Sequence, residues 1–248
     1  MLAQESLSTK VIYNNISKEY NIFKIIIEKK PSAVKFFSKR IQNLGMKKVL
    51  GQLCFFLFNV FYKRFSKKLI NSLIQRYEFI TSDIPDSKTI HVDTINSQIV
   101  IDKITEISPH IIVVNGTRII SKKVLNSTDA IFINSHLGIT PKYRGVHGGY
   151  WALINDDPDN FGVTVHLVDS GIDTGSIIFQ EIAEYSEKDN FNTYSIRQLN
   201  VAKKLINNSI EHVINKNLKT VDNKAQSILW SHPTLFEYLS FWIKKGIN

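Results

Sequence analysis

The chain has 248 residues, a formal net charge of +9 and one cysteine, Cys54. That length suits one α/β domain with an extension and buries a core without staples, while a lone cysteine excludes a disulfide framework and a cysteine-built zinc site. The charge is lopsided, with 15 Lys/Arg against 4 Asp/Glu in residues 1–80 and 16 against 18 in the remainder; it reads as a site for a phosphate-bearing ligand, nucleic acid or an anionic membrane, or as solvated surface lysines.

In chain order, Met1-Leu2-Ala3 is barely a strand, although an open α/β domain ordinarily begins with one. Glu5, Ser6, Ser8 and Thr9 break up any apolar run there, so no signal peptide is expected; the lone cysteine makes a reducing, cytoplasmic compartment the expected location. Ser8–Tyr20 has helical periodicity, and Phe23–Glu28 is a short apolar strand before Pro31. From Ala33 to about Tyr77 the pattern is helical, punctuated by Gly45. Its apolar centre, Val49–Tyr62, is about 14 residues long, short of the roughly 20 that a spanning helix needs. Lys47, Lys48, Lys63, Arg64, Lys67 and Lys68 bracket that centre. The segment Lys47–Lys68 therefore reads as a helix buried in its own protein or as a peripheral contact with an anionic bilayer. Its aromatics lie inside an apolar run and do not alternate with cations on a sheet face, so no nucleic-acid partner is expected.

A loop with Pro85 leads to a strand at Thr89–Val92 and a helix near Gln98–Ile107. His110–Val114 and Ala130–Ile133 are apolar runs of strand length, as in central parallel strands covered on both faces. After the Pro141–Gly149 loop come a helix at Tyr150–Ile154, strands at Gly162–Val168 and Ser176–Glu181, and an amphipathic helix at about Tyr194–Asn215. This alternation predicts an α/β fold: a doubly wound, Rossmann-like, mostly parallel sheet with ligand sites at the strands' C-terminal ends. Residues 1–215 are expected to form that domain and 216–248 a short C-terminal extension. The aromatic tail Leu229–Trp242 reads as packing on the body, as a homodimer contact or as part of an acceptor site.

Asn134-Ser135-His136 ends the strand led by Ile131-Phe132-Ile133, so the amide of Asn134 and the imidazole of His136 are expected on one side. The Gly-rich acidic loop Asp169–Gly175 is placed to bring Asp173 against that imidazole. Asn, His and Asp converging on one point suit acyl transfer to an amine. Asn134 donates to the developing oxyanion, His136 accepts or relays the amine's proton, and Asp173 fixes the imidazole's tautomer and favours its charged form. The basic loop Pro141–Gly145 is expected to frame the acceptor's entry, with Lys142 or Arg144 facing phosphate, or else to be a solvated turn. His147 and His166 have weaker claims, the latter packing or bonding locally.

The run Asn134–Gly145, then Gly162-Val-Thr-Val-His166, then Asp169–Gly175, closely resembles the folate-dependent formyltransferase family, strongly over about Ile111–Glu184. The resemblance implies transfer of a formyl group from N10-formyltetrahydrofolate to a primary amine, with Asn134, His136 and Asp173 catalytic and no metal. It also implies that Val114–Ile120 meets the pterin, with Arg118, Ile119 and Ile120 beside the cofactor. Asp169, Gly171 and Ile172 then close over the pterin's other edge. Lys142, Tyr143 and Arg144 are the expected acceptor contacts. Ribonucleotide-type members resemble one another in a Gly-rich first loop; here that stretch, Ala3–Thr9, holds no glycine. The tRNA-directed members usually append a C-terminal barrel of roughly a hundred residues, against about 30 here beyond the last long helix. The expected acceptor is thus a nucleotide-linked amino sugar of surface-polysaccharide synthesis, with phosphoribosylglycinamide as the alternative; a non-catalytic folate- or nucleotide-binding protein is the rival class.

Overall fold

The computed structural model describes the backbone of residues 1–248 and the side chains of all but Ala33, Lys35, Phe36 and Lys39. Its strands are β1 (Leu2–Gln4), β2 (Ile25–Glu28), β3 (Thr89–Val92), β4 (Ile111–Asn115), β5 (Ile131–His136), β6 (Arg144–Gly145), β7 (Gly162–Leu167), β8 (Ile177–Ile182) and β9 (Leu229–Trp230). The helices are α1 (Leu7–Ile16), α2 (Ala33–Leu44), α3 (Met46–Arg76), α4 (Gln98–Ile107), α5 (Lys122–Leu125), α6 (Gly148–Ile154), α7 (Phe191–Ile214) and α8 (Leu235–Lys245).

Seven strands form one sheet in the order β3-β2-β1-β4-β5-β7-β8. The first five are parallel; β7 and β8 run antiparallel to their neighbours. Order reverses between β1 and β4, the crevice where ligands of such sheets collect. The barely apolar start is a true strand: Leu2 and Ala3 are buried and pair with both β2 and β4. Backbone pairing on two sides stabilises a strand that its own sequence scarcely specifies.

One core cluster gathers Val11, Ile12, Ile133, Val163, Val165 and the inner face of α7; another, on the opposite side of the sheet, gathers Leu2, Ile26, Val100, Ile112, Val114 and Phe132. A third is aromatic and joins α3, α6, α7 and α8 through Phe55, Tyr150, Trp151, Phe191 and Tyr238. The aromatic tail packs on the body. Leu229–Trp230 pairs with Arg144–Gly145, and Trp230 stacks on Trp151 with centroids 4.7 Å apart. The Pro141–Gly149 loop therefore contains a short strand that its sequence does not signal, because the partner lies more than eighty residues away.

Candidate active site

β5 places Asn134 and His136 on the same face of the sheet, as strand alternation requires. The antiparallel neighbour β7 sets His166 opposite Asn134 and Thr164 opposite His136. A register shift between Val165 and His166 re-aims the His166 ring toward the centre of the site. Its Nδ1 lies 2.7 Å from the carbonyl of Leu167, which only accepts, so Nδ1 carries the proton. Nε2 is then a lone pair facing the Asn134 amide nitrogen at 3.1 Å. His166 thus holds one Asn134 N–H and leaves the other for the cleft. His166 thus bonds locally to Leu167, and its cross-strand place opposite Asn134 adds a second role that no local pattern signals.

Asp173 comes from the loop between β7 and β8 and adopts a left-handed backbone, φ 50, which Asp tolerates better than most residues. Its Oδ2 accepts the Gly145 N–H at 2.9 Å and lies 3.3 Å from His136 Nδ1; Oδ1 lies 3.6 Å from His166 Nε2. Burial pushes this carboxyl up, but in the acid range where it titrates the His136 charge, the contact with His166 and the Gly145 N–H outweigh burial and hold the pKa at about 2. The loop can close this tightly because residue 175 is glycine: a Cβ there would stand 1.7 Å from the Leu167 carbonyl oxygen.

His136 Nε2 lies 2.6 Å from the Tyr143 carbonyl, so both ring nitrogens face acceptors. The ring is buried, and burial lowers its pKa more than Asp173 and the Tyr143 carbonyl raise it. Asp173 thus favours the charged form of His136, but burial outweighs it. The carbonyl fixes the resting proton on Nε2 and leaves the Nδ1–Asp173 gap as the place where an arriving proton is held. Gly138 and Gly148 allow the approach, since a Cβ on Gly138 would meet His136 Nε2 at 2.7 Å. The hydroxyl of Thr164 donates to the Gly138 carbonyl and accepts from the Thr140 N–H, clamping the loop that follows β5.

These groups open into a cleft of about 1230 Å³. Arg118, Ile119, Ile120, Asp169, Gly171 and Ile172 line it together with Asn134, His136 and Asp173, so the structure brings the expected catalytic and cofactor-side segments to one space. Ile119 is half exposed there, while Ile120 is buried against Val124 in the core. The Arg118 guanidinium is tied down: Nε is 2.7 Å from Glu28 Oε2, and Nη2 donates to the carbonyls of Lys29 and Asp93. Glu28, buried at the end of β2, also accepts the backbone N–H of Arg118 and of Ile95. Arg118 therefore shapes the floor of the cleft through its backbone and stem. The opposite wall carries Arg40, Lys48 and Lys63 from α2 and α3.

Lys142, Tyr143 and Arg144 do not line this cleft, a correction to their expected place as acceptor contacts. The Lys142 ammonium pairs with Asp157 at 2.5 Å, and the fully buried Tyr143 donates its hydroxyl to the same carboxylate at 2.7 Å. Arg144 donates to the Ile172 carbonyl, bracing the Asp173 loop. The β6–β9 pairing turns this loop inward, so it supports the site from behind. His147 does line the cleft, and its Nε2 meets His232 Nδ1 at 2.8 Å. Burial lowers both rings, His232 to about 4, so both are neutral near pH 7.

A family model described as "Formyl transferase" matches residues 73–210, more than half of the chain. A methionyl-tRNA formyltransferase of Thermodesulfovibrio yellowstonii is 36% identical over 134 residues, covering 54% of this chain and 40% of that protein. The match thus spans less than half the length of that relative. A sugar N-formyltransferase from a Shewanella species has the same fold, with a TM-score of 0.58, 15% identity and coverage of 92% of this chain and 74% of that one. An N-formyltransferase from Helicobacter canadensis, solved with folinic acid and dTDP-3-aminofucose, gives 0.56 at 17% identity over 93% of this chain and 69% of that one.

Proposed function

The chain belongs to the formyl transferase family, and from that membership we propose that it moves a formyl group from N10-formyltetrahydrofolate to the primary amine of a nucleotide-linked amino sugar. The division of the cleft carries this reading. Asn134, His136 and Asp173 stand beside half-apolar segments, Val114–Ile120 and Val168–Ile172, suited to a reduced pterin. Facing them is a cationic wall, Arg40, Lys48 and Lys63, with the Arg40 guanidinium held by Gln52 Oε1. That wall suits the diphosphate of an acceptor. The ligands of the Helicobacter canadensis protein support the same pairing of a folate with a nucleotide-linked amino sugar.

In this reading the acceptor nitrogen attacks the formyl carbon, and the carbonyl oxygen becomes an oxyanion facing the free N–H of Asn134. His166 fixes that amide before the reaction, so no reorganisation is needed when charge develops. The amine's proton passes to the Asp173–His136 pair, where the imidazolium finds an acceptor on each ring nitrogen. The bond from the formyl carbon to N10 then breaks, and N10 takes a proton as tetrahydrofolate leaves.

The test is turnover of candidate amines with N10-formyltetrahydrofolate. A nucleotide-linked amino sugar is expected to react fastest; faster transfer to glycinamide ribonucleotide or to methionyl-tRNA would overturn the choice of acceptor.

A further inference from the structure

α3 has two apolar faces. Its inner face, with Val49, Gln52, Phe55, Ser66 and Leu73 buried, is held against the body, Gln52 donating to the His232 carbonyl and Phe55 packing on Tyr238 and Phe191. The outer face is exposed. Met46, Leu50, Leu53, Leu57, Phe61 and Phe65 follow one another at spacings of three and four residues, which puts them in one stripe. All six are exposed, Phe65 at 83% and Phe61 at 61%. At 1.5 Å per residue the stripe is roughly 30 Å long. A stripe of large apolar side chains that long is far from the scattered surface leucines that need no account.

Charge indicates what covers it. Lys47 stands beside the stripe at one end, and Arg64, Lys67 and Lys68 at the other, all exposed. A second copy of this chain, laid on the stripe with twofold symmetry, would set Lys47 of one helix against the Arg64–Lys68 cluster of the other. A parallel pairing would oppose each cation to its twin. With no Asp or Glu between Glu28 and Glu78, α3 offers nothing to relieve that repulsion. An anionic partner with an apolar interior meets both demands. Among the described residues no helix is long and apolar enough to cross a membrane, so a bilayer partner would be met at its surface.

We propose that α3 docks the protein on an anionic lipid bilayer, with the Met46–Phe65 stripe entering the boundary between headgroups and acyl chains and Lys47, Arg64, Lys67 and Lys68 reaching lipid phosphates. This surface faces away from the cleft wall formed by Lys48 and Lys63. It is independent of which amine the cleft accepts.

The test is sedimentation of the full chain with vesicles of phosphatidylcholine, alone or with a minority of phosphatidylglycerol, at low and high ionic strength. Binding is expected on the anionic vesicles only, and weakened by salt. The triple variant Arg64→Gln, Lys67→Gln, Lys68→Gln should lower partitioning on the order of a hundredfold, each surface-near cation being worth about fivefold. Phe61→Ser with Phe65→Ser should abolish it. Unchanged circular dichroism and thermal unfolding would establish that both variants are folded. Failure to sediment with anionic vesicles at low salt would overturn the proposal. So would binding that both variants leave intact, or a dimer in analytical ultracentrifugation that Leu57→Asp dissociates. None of these readouts uses formyl transfer, so failure here and failure of the functional reading are separable.

Discussion

The Asn134 side chain lines the cleft with one amide hydrogen held by a histidine lone pair, and a fixed amide with a second hydrogen to give is what an oxyanion donor needs. Asn134→Ala is expected to lower kcat for the proposed transfer by about 10²–10³, the usual effect of deleting one such donor, with little change in the acceptor's KM. Steady-state kinetics on a variant of unchanged circular dichroism checks it. Asp173 allows a separate prediction. Its folded pKa of about 2 lies below its ordinary value of 3.8, so the ionised group stabilises the fold above about pH 4 and loses that contribution as pH falls through about 2. Asp173→Asn keeps the side-chain carbonyl for the Gly145 N–H and tolerates the left-handed backbone, so it isolates the charge. The variant should lose at most about 2 kcal/mol at pH 7, where His136 is neutral, and match the parent near pH 2. Urea unfolding across that range measures it; a gap that persists at pH 2 would assign the loss to packing.

Among the elements, α8 decides whether α3 can form a cleft wall. Tyr238 is fully buried and its ring lies 5.0 Å from Phe55, 5.6 Å from Phe58 and 6.0 Å from Trp242. The turn before it reaches α3 as well, with the Thr234 side chain against Gly51. Tyr238→Ala should cost about 3–5 kcal/mol, the range for emptying a buried aromatic site. It should also raise hydrogen exchange in α3 and α8 before the central strands, because their mutual packing runs through that ring. Uniform protection loss across the sheet would show instead that the aromatic cluster and the sheet unfold as one unit.

At the scale of the whole molecule, the basic N-terminal third divides between two surfaces. Arg40, Lys48 and Lys63 turn to the cleft, while Lys47, Arg64, Lys67 and Lys68 surround the outer stripe of α3. A count of charges along the chain cannot make that division, since Lys47 and Lys48 are adjacent in sequence and differ only in helical phase. Helical periodicity does place Lys47–Lys68 on one element, but the choice between burial and exposure of each face depends on α7 and α8, which come more than a hundred residues later.

The sequence by itself determined the parallel α/β alternation and the pairing of Asn134 with His136, because strand period and turn chemistry are local. The Gly-rich acidic loop put a carboxylate within reach of β5, and the resemblance to the formyltransferases implied that it is Asp173. The tertiary structure alone decided that His166 orients Asn134, that Glu28 anchors Arg118 and that Lys142, Tyr143 and Arg144 brace the site from behind. Each of those roles depends on a partner on another strand or helix: β7 opposite β5, β2 beside the Arg118 loop, and β9 against β6. Such contacts arise from register and packing between distant segments, and no local pattern of residue types records them.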